Sequence, residues 1–88
     1  MLIEVSYFAQ AAEATGTATE SLEASDLASL LREIVSRHGD KIEDLICDSA
    51  GTLVPWVLVD LNGALIRDPA HTLTDGDRVR FISPISGG

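Results

Sequence analysis

The residues with the clearest chemical potential stand at the end of the sequence, where Ser83-Pro84-Ile85-Ser86 leads into Gly87-Gly88. With average glycine usage near 7%, a terminal glycine pair arises by chance in about 0.5% of chains, so accident is a poor account of it. Pro84 cannot donate to a β-ladder and pre-sets an extended path, and about five residues reach roughly 17 Å from the body that carries them. Glycines have no Cβ, so the walls of a partner's channel and a nucleotide can approach the backbone closely. A terminal carboxylate has a reference pKa of about 3.3–3.7 and is ionised at neutral pH. Its natural reaction is attack on the α-phosphate of ATP, giving an acyl adenylate that a second nucleophile opens. Gly88 is therefore the candidate reacting residue, and Pro84, Ile85, Ser86 and Gly87 are the candidate residues for threading into a partner.

The other chemistry-bearing residues offer less. Cys47, beside Ile46, fits a small packed hydrophobe better than a sulfur acceptor or a redox thiol. His38 falls at a helix end and His71 in a loop, and two unpaired histidines make no metal-ligand motif. Asp75 and Asp77 flank Gly76 as turn residues do, without the remaining ligands of a calcium loop. No metal site is expected.

These residues need a body to hold them. Leu2 to Phe8 alternates, with Ile3, Val5 and Tyr7 on the core side and Leu2, Glu4, Ser6 and Phe8 on the other, which predicts a half-buried strand. Ala9 to Ala14 has the composition of a short helix stopped at Gly16, and Thr17 to Glu23 alternates again. Ser25 has N-cap chemistry and Asp26 suits a first turn. Leu27, Leu30, Leu31, Ile34, Val35 and His38 then recur at helical spacing up to a stop at Gly39, with Arg37 and His38 at the negative end. Ile42, Leu45 and Ile46 allow one short helical turn, and Asp48-Ser49-Ala50-Gly51 reads as a turn. From an outward Trp56 the alternation of Val57, Val59 and Leu61 leads into Asn62-Gly63, the preferred dipeptide of a type I′ hairpin, and on to Ala64–Ile66. After Leu73 and the turn Thr74-Asp75-Gly76-Asp77, Arg78 to Ile82 alternates with Val79 and Phe81 inward. The order predicts an α+β roll of the β-grasp, ubiquitin-like type over residues 1–82, with a mixed four- to five-stranded sheet and one main helix on one face. The first and last strands are expected to be central neighbours, and residues 83–88 form a flexible tail. On the helix-free face Phe8, Ile82 and Leu65 are predicted to make a compact apolar patch for docking a partner.

Composition sets the limits. The chain has 88 residues, 45% of them hydrophobic and 23% charged, which describes one globular domain. A single cysteine excludes an internal disulfide and a multi-cysteine zinc site. The net charge of −8 repels a phosphate backbone, so nucleic-acid binding is not expected. The apolar run Val54 to Val59 is far too short to span a bilayer, and the start at Met1-Leu2-Ile3-Glu4 lacks the pattern of a secretory signal. A cytoplasmic protein without membrane contact is the expectation.

Tyr7-Phe8-Ala9-Gln10 followed by Glu13 and Thr15-Gly16, the Leu27 to Val35 helix, Leu61-Asn62-Gly63, Leu73-Thr74-Asp75-Gly76-Asp77-Arg78-Val79 and the ending Pro84-Ile85-Ser86-Gly87-Gly88 together resemble the MoaD/ThiS family of ubiquitin-like sulfur carriers. The Phe-Ala-Gln segment and the chain length are most similar, within that family, to the small subunit of molybdopterin synthase. The resemblance implies that Gly88 is adenylated by a ubiquitin-activating-like adenylyltransferase and becomes a thiocarboxylate charged by a sulfur-donor enzyme. Its acceptor would be the large molybdopterin synthase subunit, for molybdenum-cofactor synthesis. Acceptors in thiamine, cysteine or tRNA pathways, or a β-grasp binding module without sulfur transfer, are the alternatives. Such a carrier is not an enzyme on its own; it has no permanently bound cofactor, since ATP is used by the activating partner.

Overall fold

The computed structural model describes residues 1–83; Pro84, Ile85, Ser86, Gly87 and Gly88, where the reacting and threading roles were expected, lie outside the described residues. The elements run β1 (Leu2–Ser6), α1 (Ala9–Thr15), β2 (Thr19–Glu23), α2 (Leu27–His38), α3 (Asp40–Ile46), β3 (Leu58–Leu61), β4 (Ala64–Ile66) and β5 (Arg78–Ile82). They form a mixed five-stranded sheet in the order β2-β1-β5-β3-β4. β1 and β5 are neighbours, as expected; they pair in parallel, and the other pairings are antiparallel. This is the β-grasp arrangement.

The core follows from two periodicities. Alternation on the strands buries Ile3, Val5, Val59, Val79 and Phe81, and the 3.6-residue repeat of α2 buries Leu27, Leu30, Leu31 and Ile34 in the same cluster. The N-cap of α2 is Asp26, one residue later than Ser25. Its carboxylate accepts from Ser29 N at 2.7 Å, and the Ser29 hydroxyl accepts from Asp26 N at 3.1 Å, closing a capping box. Ser25 instead offers its carbonyl to Leu73 N, and Asp26 bridges Thr72, so the loop before β5 is tied to the helix start.

Helical content exceeds expectation after α2. Gly39 adopts φ 84° and ψ −154°, a region open only to glycine; it ends α2 and starts α3, which makes two turns and buries Ile42 and Ile46. The hairpin is as its dipeptide predicts, with positive φ at both Asn62 (52°) and Gly63 (96°). β1 is shorter than its pattern, ending at Ser6 where the chain turns into α1. Among the described residues no helix is long and apolar enough to cross a membrane.

Candidate functional site

The face of the sheet opposite the core cluster is built by the other parity of the same strands. One row crosses all five strands in register: Thr19 on β2, Ser6 on β1, Arg80 on β5, Asp60 on β3 and Leu65 on β4. One step toward the end of β5, Ile82 lies opposite Leu58. Both are half-buried, whereas Leu65 is 64% exposed. β5 ends at Ile82, so this apolar pair stands at the end of the last strand. A shallow depression of about 590 Å³ opens on the other side of the Ser6–Arg80–Asp60 row, toward the hairpin, lined by Ser6, Asp60, Asn62, Gly63, Arg78, Val79 and Arg80.

Phe8 is not part of this surface. It was assigned to it by extending the β1 alternation, but the strand stops at Ser6 and Phe8 becomes the N-cap residue of α1, its carbonyl accepting from Ala12 N at 2.8 Å. Tyr7 and Phe8 are consecutive and both buried, at 8% and 4% exposure, which a continuing strand cannot do. The apolar neighbour of Ile82 is instead Leu58, on the other side of β5. Its signal was available, since a strand with Val57 and Val59 inward must turn Leu58 outward.

The sequence reading also missed a partly buried polar cluster. The Tyr7 hydroxyl donates to Glu20 Oε2 at 2.5 Å, and His38 Nε2 lies 2.5 Å from the same oxygen. These residues come from the end of β1, from β2 and from the last turn of α2. The Tyr7 ring also stacks on Phe81 at 6.2 Å and meets His38 edge-on at 6.3 Å. Burial first, then the hydrogen bond to Glu20 and its charge, push the Tyr7 hydroxyl far above its ordinary value, so it is a donor at all physiological pH. The cluster locks β1, β2 and α2 together beside β5. Arg67 performs a comparable task at the β4 end, donating to the carbonyls of Val57 (2.9 Å), Leu53 (3.1 Å) and Val54 (2.5 Å) and so holding the segment that feeds β3.

With this geometry in view, the relatives are informative. The ThiS family model matches residues 5–88. The chain belongs to the ThiS family. Solved structures agree on the fold. SAMP1 from Haloferax volcanii is 24% identical, with all of both chains covered and a TM-score of 0.87. The BexX/CysO complex from Amycolatopsis orientalis is matched at 17% identity over 92% of this chain and 93% of that one, TM-score 0.79. A putative molybdopterin converting factor subunit 1 from Pyrococcus furiosus is 23% identical over 94% and 97% of the two chains, TM-score 0.74. Among curated proteins there is no match.

Among the described residues of this ThiS-family chain, no group of three or more His, Cys, Asp or Glu residues could hold a metal ion. A concavity of about 650 Å³ lies between α2, α3 and the 50–53 loop, with Leu27, Leu31, Val35, Leu53 and Cys47 in its lining. Burial, then the nearby charges of Glu43 and Asp48, raise the Cys47 thiol above its ordinary value. It is protonated at neutral pH and is a poor nucleophile. Asp77 is a turn residue: its carboxylate accepts from Thr74 N at 2.8 Å and from Asn62 Nδ2 at 2.9 Å. Trp56 is half exposed, just ahead of β3.

Proposed function

We propose that this ThiS-family chain is the sulfur-carrying small subunit of a molybdopterin synthase. In this reading the Gly88 carboxylate attacks the α-phosphate of ATP on a ubiquitin-activating-like adenylyltransferase, releasing pyrophosphate and forming an acyl adenylate. A free carboxylate is a poor acyl donor because oxide is an impossible leaving group; AMP is a competent one. Sulfide supplied by a sulfur-donor enzyme then attacks the carbonyl carbon; the new C–S bond forms as the bond to the AMP oxygen breaks, AMP leaves, the sulfur loses its proton and a thiocarboxylate results. Gly87, Ser86, Ile85 and Pro84 thread the channel of each partner, and the sheet face with Leu58, Ile82 and Leu65 docks the large synthase subunit.

The observation that carries the reading is the family match over residues 5–88, which includes the glycine pair. The match to the Pyrococcus furiosus chain and the Tyr7-Phe8-Ala9-Gln10 segment support the molybdopterin branch. The complex of CysO with BexX supports a carrier that works by docking on a second protein. Carriers for thiamine, cysteine or tRNA thiolation would use the same tail, so the acceptor separates them. The test is reconstitution with the activating enzyme, ATP and a sulfur donor. Pyrophosphate exchange and a mass gain of one sulfur for one oxygen on Gly88 are expected, both lost on deleting Gly88 or adding a residue after it. Transfer of that sulfur to molybdopterin precursor only with the large synthase subunit supports the branch. A tail that tolerates both changes leaves a binding module without sulfur transfer, and transfer only to another acceptor reassigns the pathway.

A further inference from the structure

The chain carries 14 acidic and six basic side chains, yet two of the six bases, Arg78 and Arg80, stand on the central strand of the open sheet face. Most of the arginines are engaged. Arg67 holds three backbone carbonyls, Arg37 lies 3.9 Å from Glu33, and Arg78 lies 3.6 Å from its register neighbour Glu4, while Arg32 stands on α2, on the covered side of the sheet. Arg80 is different. Its register neighbours are Ser6 and Asp60, and Asp60 turns a carboxylate oxygen to Gly63 N at 2.9 Å across the hairpin. The Arg80 side chain makes no hydrogen bond or ion pair with any described residue. Its guanidinium is exposed, one row from the Leu58–Ile82 pair and in the same row as Leu65, at the edge of the depression on that face.

We propose that Arg80 is the specificity-determining polar contact of this face, and that it takes an Asp or Glu carboxylate from an acceptor enzyme whose surrounding surface is apolar and covers Leu58, Ile82 and Leu65. This rests on the reading that the face docks the acceptor. A guanidinium presents paired N–H donors that match a carboxylate bidentately. Covering the adjacent apolar residues removes water from around Arg80, so an apolar partner without an acid would bury an unpaired cation, and a partner with one gains a desolvated charge-assisted pair. The overall charge of −8 sharpens the choice: acidic partners are repelled at long range, so the carboxylate must belong to a surface that is otherwise neutral or basic. A polyanion such as a nucleic acid has the local charge but not the apolar surface, and it meets the same repulsion.

The test measures the dissociation constant of the full chain with the large synthase subunit by calorimetry, for the parent chain and for Arg80→Ala, Arg80→Lys, Arg78→Ala and Ile82→Ala. The same buffer is used for thermal unfolding of each free variant. Arg80→Ala is expected to weaken binding about tenfold to a hundredfold with no change in unfolding midpoint, Arg80→Lys to recover only part of it, and Arg78→Ala to change it less than about threefold. Replacing the acceptor's interface acids one at a time by Asn or Gln should find one whose effect disappears in the Arg80→Ala background. Weakening by Ile82→Ala with no effect of Arg80→Ala would overturn the role of Arg80 while keeping the docking face. No effect of either would show that the face is not the interface. Absence of binding by the parent chain, with sulfur loading intact, would remove the molybdopterin reading and this contact with it.

Discussion

The two faces of the five-stranded sheet are made by alternate residues of the same strands, and they differ in almost every physical respect. On the helix-covered face Ile3, Val5, Val59, Val79 and Phe81 are at most 1% exposed and belong to one continuous core. On the other face the same strands present Glu4, Arg78, Arg80 and Asp60, with Leu58 and Ile82 paired, Leu65 on the edge strand and the half-exposed Leu2 at the start of β1 as the apolar residues. Stability is thus concentrated on one parity, and the features suited to a partner on the other. Substitutions on the two faces should therefore separate folding from binding, provided that the residue lies within a strand.

Phe8 breaks the comparison most sharply, since it has the parity of the open face and the burial of the core. Phe8→Ala is expected to destabilise the fold by about 3–5 kcal/mol, measured by urea unfolding, with any loss of partner binding following the loss of folded protein. Binding lost at unchanged stability would return Phe8 to the open face. On the covered face, Ile34→Ala should cost about 2–5 kcal/mol by the same measurement, because Ile34 has no exposure and α2 has no other means of filling that space.

The Tyr7–Glu20–His38 cluster lies between these extremes, a polar lock inside the covered side. Tyr7→Phe removes one of the two contacts to Glu20 Oε2 and should cost about 1–3 kcal/mol. It also carries a signature in pH. Since burial and Glu20 raise the Tyr7 hydroxyl in the folded state, its contribution is complete below the unfolded value of about 10 and is lost as pH rises beyond it. The parent chain should lose stability there more steeply than Tyr7→Phe, and the single tyrosine allows its ionisation to be followed by absorbance.

Smaller effects belong to the turns. Asp26 and Asp77 are held below the ordinary carboxylate value, chiefly by the backbone N–H groups of Ser29 and Thr74. Their contribution is complete above about pH 3.9 and is lost as the pH falls through their lower folded values, so Asp26→Asn and Asp77→Asn should each flatten the acid limb of a stability–pH curve. At the bottom of the scale, Leu65→Ala on the open face should alter folding stability by no more than about 0.5 kcal/mol, whatever it does to binding. A larger loss would mean that the face contributes to the fold.

What the sequence by itself determined is what rests on near neighbours. The repeat from Leu27 to His38 specified α2, Asn62-Gly63 specified the hairpin, and alternation identified the inward residues of β1, β3 and β5. The same residues carried the family resemblance, and the glycine pair carried the proposed chemistry. Only the tertiary structure decided where alternation stops. Whether Phe8 continues a strand or caps a helix depends on core space at the end of β1, which no local pattern encodes. Only the fold brought Tyr7, Glu20 and His38 onto one oxygen, because their elements are joined through β1–β2 pairing and α2 packing. Register did the rest. Placing Leu58 opposite Ile82, and Arg80 between a serine and an already engaged aspartate, requires strand pairings set by long-range packing, and a shift of one residue would have turned every one of these side chains to the other face.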